Sequence, residues 1–274
     1  MRTILRVFFV GFAVLAICAV GALSAKAQTT PTPATTAVTA AGRKPVVVEL
    51  FTSEGCSDCP PAEALALKLE QQPIAGVDVI VLEEHVDYWD HQGWVDPFSS
   101  NEWTQRQQVY VAHANGNPYT PEMVVGGQSQ FVGSNGRAAL AAIEKAARAP
   151  ETSVTLAAKN PDAGDSQDFT VSVGKVAGDT SGDSAEVWLA VVEDGLHSSV
   201  NAGENAGHVL YHAAVVRSLH KIGDAKGNGN TAFTGDARVK FKSSWKRENL
   251  RVVVFVQEKK SREILGGAST KIAK

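Results

Sequence analysis

The chain uses two patterns of apolar and polar positions, one after the other. In the first, continuous apolar runs alternate with stretches of helical spacing. Val46, Val47, Val48, Leu50 and Phe51 form one run and residues 77–82 (VDVIVL) another, as strands buried on both faces do. Between them Leu65 and Leu69 stand one helical turn apart, with Ala62 and Ala66 favouring helix. Pro60 and Pro61 suit a first turn, whose N–H groups lack partners in any case. Strand, crossover helix and parallel strand follow from that order. Residues 101–114 predict a second helix, with Ser100 as N-cap and Glu102 in the first turn, ended by Asn115-Gly116-Asn117-Pro118. After Pro121 comes a third strand, then Gly126-Gly127 as a hairpin turn, a return strand over 128–132, and an alanine-rich closing helix over 135–148.

From about Thr152 the second pattern takes over. Short apolar segments at 154–156, 169–173, 185–192, 208–216 and 250–257 are separated by Gly/Asp/Asn/Ser clusters at 178–183 and 227–230. Short strands so punctuated, with no strong helix, predict a β-sandwich. The expected fold class is therefore α/β over residues 45–150, followed by a smaller β-rich, sandwich-like domain over 151–274.

The amino end changes the picture of where this chain works. Arg2 and Arg6 precede an apolar run over 7–23, and Ala25-Lys26-Ala27 fits a signal-peptidase site before Gln28. Residues 1–27 are expected to be a signal peptide, and the Thr/Pro/Ala-rich stretch 28–44 a disordered tether. The expected location is the periplasm or the exterior, where disulfides persist. Cys18 leaves with the signal, so the three cysteines reduce to Cys56 and Cys59. Losing Arg2, Arg6 and Lys26 takes the formal charge from −3 to −6. An acidic mature chain argues against nucleic acid or an anionic membrane as partner.

Cys56-Ser57-Asp58-Cys59 follows the first strand and opens the first helix. Cys56 is expected exposed at the helix N-terminus, with Cys59 one turn in. Unpaired N–H groups there favour a thiolate, and the spacing lets the second sulfur attack a mixed disulfide on the first. A redox pair, a structural clip and half of a metal site all remain open for two close cysteines. The loop 83–100, EEHVDYWDHQGWVDPFSS, begins at the carboxyl end of the second strand, where ligands of open α/β sheets gather. His85, Asp87, Tyr88, Trp89 and Trp94 are expected to wall the cysteine pair, although a long insertion packed by its own aromatics would look the same.

The order of elements, the pair and its setting resemble the thioredoxin superfamily. The stretch VELFTSEGCSDCPPA, with HVDYWD, GW and DPF in the loop, is most similar to a family of secreted thioredoxin-like proteins of unknown function. The resemblance implies a cis proline at Thr120-Pro121 facing the cysteines, and a β-rich segment after the thioredoxin-like part. It also implies a thiol–disulfide oxidoreductase: Cys56 attacks, Cys59 resolves, and Thr120 and Pro121 offer backbone to the substrate chain. Asp58, Glu54 and Glu63 oppose a thiolate, so reduction or isomerisation is expected rather than strong oxidation. The expected partners are a protein or small-molecule thiol/disulfide substrate and a separate redox partner, with no cofactor. Two other classes stay in view. One is a copper or zinc carrier using Cys56, Cys59 and His85. The other is a non-catalytic binding module with a structural disulfide. His197, His208, His212 and His220 lie in the β-rich part, with His208 and His212 expected on one strand face. No metal ligands are assigned among them.

Overall fold

The computed structural model describes residues 36–37, 42–159, 164–177, 184–226 and 230–272. The expected signal peptide and most of the tether lie outside them. Within the tether, β1 (Thr36–Ala37) pairs with β6 (Val154–Lys159). The first pattern folds as β2 (Lys44–Thr52), α1 (Pro60–Gln71), β3 (Val77–His85), α2 (Asn101–Ala114), β4 (Glu122–Val125), β5 (Ser129–Val132) and α3 (Gly136–Arg148). The second continues from β6 through β7 (Ser166–Gly174), β8 (Ala185–Asp194), β9 (His197–Ser199), β10 (Val209–Tyr211), β11 (Ala214–Ala225), β12 (Thr231–Lys240), β13 (Leu250–Glu258) and β14 (Ile264–Lys271). The molecule is mixed α/β, dominated by one large mixed sheet. Among the described residues no helix is long and apolar enough to cross a membrane.

That sheet has eight strands in the order β14-β13-β8-β11-β3-β2-β4-β5. β2 runs parallel to β3, and β3 parallel to β11 through Val215 opposite Glu83. Every other neighbouring pair in it is antiparallel. The boundary expected near residue 150 therefore falls within a shared sheet.

Alternation along β8 and β13 shows why. Val187, Leu189, Val191, Val252, Val254 and Val256 face a second sheet, β1-β6-β7-β12, and pack there with Leu156, Phe169 and Val171. The intervening Ala190, Val192, Val253 and Phe255 join Val47, Ile80 and Leu82 in the other core. One pair of strands thus serves two cores, and an apolar residue at almost every position is the cost. β14 then returns to the first pattern: the Ile264 N–H donates to Gly126 O at 3.0 Å.

Several elements differ from expectation. The stretch 208–216 is two strands, because the chain turns at His212, whose N–H donates to Leu196 O at 2.9 Å. β12 and β14 were not anticipated, since TAFTGDARVK and ILGGASTK carry few large apolar residues. Gly266 in β14 answers to packing: a Cβ there would lie 2.0 Å from Thr152 O.

Candidate functional site

β2 ends in a buried polar turn. The Cys56 N–H donates to Ser53 O (3.1 Å), the Gly55 N–H to Ser53 Oγ (3.1 Å) and the Cys59 N–H to Cys56 O (3.2 Å). Cys56 and Cys59 are joined as a disulfide with Cα atoms 5.4 Å apart. α1 begins at Pro60, so Cys59 is its N-cap and Cys56 lies a turn ahead of it. Pro60 and Pro61 have no N–H to give to the preceding carbonyls, which sets that start.

Cys56 is not exposed. It is 1% accessible and Cys59 0%, while Ser57 and Asp58 between them face solvent. The cover comes from the segment between β9 and β10. Asn205 Nδ2 donates to both Glu54 O and Cys56 O at 2.9 Å, and Glu204 Oε2 accepts from the Ser57 N–H at 3.0 Å. These hydrogen bonds hold the Glu204 carboxyl below its usual range.

Of the five expected wall residues, Trp89 and Trp94 gather here, with Thr120 and Pro121 beside them. Trp89 lies over Gly55, its Cβ 3.2 Å from where a Cβ on that glycine would stand, and its Nε1–H donates to Thr120 Oγ1 at 2.8 Å. Trp94 donates from Nε1 to Glu54 Oε2 at 2.8 Å. The Thr120–Pro121 bond is cis. Pro121 and Ala62 of α1 close on Gly133 from two sides, where an added Cβ would meet them at 3.2 and 3.1 Å. Asp87 and Tyr88 instead turn to α2. Asp87 Oδ1 accepts from Thr104 Oγ1 (2.6 Å), and Tyr88 donates to Gln107 Oε1 (3.2 Å). Burial pushes the Tyr88 hydroxyl up to about 12.

His85 enters a closed cluster of carboxyls and imidazoles. Its Nδ1–H donates to Asp96 Oδ2 at 2.7 Å, and its ring meets those of His212 and Phe98 edge-on at 4.9 and 5.4 Å. His212 Nε2 bonds Glu54 Oε1 at 3.1 Å, while its Nδ1 faces Glu63 Oε2 (3.7 Å) and Glu83 Oε2 (3.8 Å). Glu63 Oε1 accepts from Thr52 Oγ1, and Glu83 Oε2 from the Ala213 N–H. Burial pushes the Glu63 carboxyl up to about 7 against the pull of His212. Burial, with the Glu63 charge, pushes Glu83 well above its usual range. Burial works on Asp96 too, but the His85 imidazole and the N–H groups of Glu54 and Phe98 outweigh it and hold that carboxyl low.

Sequence reasoning did not assemble Asn205, Glu204, Asp96 or His212 into this site. One signal was legible: Glu83 and His85 are two apart in a strand and so share a face. His208, expected beside His212, is exposed and His212 is wholly buried.

A mixed α/β protein with a covered disulfide above a buried carboxyl–imidazole cluster is the class that fold and site define. The chain belongs to the family described as protein of unknown function (DUF1223), which matches residues 47–257. Protein AGR_C_4864 from Agrobacterium tumefaciens, known from a crystal structure, is similar at 26% identity and TM-score 0.56, over 82% of this chain and 92% of that one. HBP35 of Porphyromonas gingivalis shares the fold at 19% identity and TM-score 0.61, over 85% and 76% of the two chains. No curated protein matches.

Proposed function

We propose that this protein is an exported thiol–disulfide oxidoreductase of thioredoxin-like build, with Cys56 and Cys59 as its redox pair. The observation that carries the reading is the disulfide at the carboxyl end of central strand β2, directly ahead of α1. Further support comes from the β3-β2-β4-β5 order and from Pro121 beside the first turn of α1.

In the reduced protein the Cys56 thiolate attacks one sulfur of a substrate disulfide. The substrate S–S bond breaks, a mixed disulfide forms and one substrate thiolate leaves. The Cys59 thiolate then attacks Cys56 Sγ, restoring the Cys56–Cys59 bond and releasing the second thiolate. Two electrons pass to the substrate, and an external dithiol supplies them for the next cycle. Thr120 presents backbone to the substrate chain, and Pro121, whose carbonyl accepts from the Gly133 N–H at 2.9 Å, holds it in place. Buried Glu54 and Glu63 and exposed Asp58 disfavour thiolate at Cys56, which suits reduction or isomerisation. A thiolate titrating below about 5 by its absorbance would contradict that direction.

The burial of both cysteines favours a second reading, a structural clip in a binding module. A glutathione titration of the mature protein, trapped by alkylation and read by mass, separates the two. A potential between roughly −120 and −270 mV is expected for a working dithiol. A pair still oxidised below about −300 mV would assign the clip. A copper or zinc carrier through Cys56, Cys59 and His85 has less support, because Cys56 and Cys59 are joined to each other and covered from solvent.

A further inference from the structure

Beneath the disulfide turn, Glu83 Oε1, His85 Nε2 and His212 Nδ1 have no hydrogen-bond partner, and all three residues are 0% exposed. A buried polar atom without a partner costs about 1–3 kcal/mol. The three residues stand together: one ligand atom from each lies within 4.8 Å of the other two. The 3.7 and 3.8 Å from His212 Nδ1 to the Glu63 and Glu83 oxygens are too long for hydrogen bonds. They approach the roughly 3.3 Å that separates two ligands of one tetrahedral zinc ion.

The far side of each imidazole carries a second observation. His85 gives its other nitrogen to Asp96, and His212 gives its other nitrogen to Glu54. Carboxylate behind imidazole is how metal-binding histidines are oriented, with the free nitrogen turned to the ion. Charge points the same way. Four carboxyl groups, Glu54, Glu63, Glu83 and Asp96, surround two imidazoles. Among the described residues no Lys or Arg forms an ion pair with any of the four. Buried carboxyls without a cation are costly, and a divalent ion would offset that.

We propose that Glu83, His85 and His212, with Glu63 as fourth donor, form a buried site for a divalent transition-metal ion, best matched by zinc. Mixed imidazole and carboxylate donors suit zinc better than copper(I), which prefers thiolate, or calcium and magnesium, which prefer oxygen alone. The site is closed to solvent, as structural zinc sites are. The ion joins β3, α1 and the turn at His212 ahead of β11. It thereby fixes the segment carrying Asn205 against the cysteine turn. The proposal does not depend on redox activity at Cys56 and Cys59.

The test uses the mature chain purified without chelator, with metal counted by mass spectrometry, followed by cobalt(II) and zinc titration of the stripped protein. One equivalent per chain is expected, with cobalt absorption that zinc displaces and a thermal midpoint raised by zinc but not by magnesium. His212→Ala and Glu83→Gln should weaken binding at least 100-fold, and Asp96→Asn about 10- to 100-fold. The double variant Cys56→Ser, Cys59→Ser should keep the full equivalent, which separates this site from thiolate binding and from any failure of the redox reading. Folded wild-type protein that takes up no stoichiometric zinc and shows no stabilisation overturns the proposal, and points to buried water instead. So does an equivalent that survives both ligand substitutions, or one lost with the cysteines. Should a ligand variant fail to fold, the wild-type titration and the cysteine variant still decide.

Discussion

Asn205 stands 149 residues from Cys56 and yet donates to its carbonyl. One side-chain amide thus satisfies two carbonyls of the cysteine turn and holds a cover over the disulfide. Each such hydrogen bond contributes about 0.5–1.5 kcal/mol net. Asn205→Ala is therefore expected to speed reduction of the pair by a small-molecule thiol about tenfold, since opening becomes easier by roughly 1.4 kcal/mol. Stopped-flow measurement of thiol release checks this, and an unchanged rate would mean that the cover is not the barrier. The cysteine spacing was legible because it is local, and so were Ser100 as N-cap and the cis bond implied at Thr120–Pro121. Asn205 and His212 were not. An amide in a turn carries no local mark of a partner elsewhere, and strand alternation paired His212 with His208 when the chain in fact turns there.

At the scale of elements, the tie between α1 and the β-rich half is ionic. Arg251 on β13 donates from Nε to Asp194 at the end of β8 (2.8 and 3.0 Å), and from Nη2 to Glu70 of α1. Burial pushes both carboxyls above their ordinary 3.8 and 4.5, and the Arg251 charge only partly opposes this. Both therefore bind protons more readily in the folded protein than in the unfolded chain. The stability they add is complete below the ordinary values and lost as pH rises through the raised ones. Glu70→Gln keeps an acceptor for Arg251 but removes one titration. Denaturant midpoints followed from about pH 4 to pH 7 should fall less steeply for Glu70→Gln than for wild type. Parallel curves would show that Glu70 titrates as it does in the unfolded chain. These elements were visible where a continuous apolar run, a cap or an alanine-rich stretch marks them, as in β2, β3, α2 and α3. β12 and β14 escaped because glycine and small residues meet tight packing there, and packing leaves no periodic trace.

The whole molecule raises the question of whether residues 45–150 and 151–274 stand alone. The change of pattern near Thr152 was real in the sequence, since helices end there and short strands begin. What the pattern could not reveal is that β11 lies between β3 and β8, so that strands from both sides of the boundary share one sheet. Apolar runs in β8 and β13 signalled burial on two faces without saying which cores they faced. Splitting the chain after Arg148 would unpair the β3 edge facing β11, expose Val47 and Ile80 where β14 packs, and cut Arg251 from Glu70. A break of that size exceeds the marginal stability of a typical domain. The protein is therefore expected to unfold in one transition. Trp89, Trp94 and Trp103 report from the first half, and Trp188 and Trp245 from the second. Variants retaining tryptophan in only one half should give the same midpoint as far-ultraviolet circular dichroism. A fragment of residues 42–150 should show no cooperative transition. Two separated midpoints, or a fragment that unfolds sharply, would make the halves independent domains that merely share hydrogen bonds at β3 and β11.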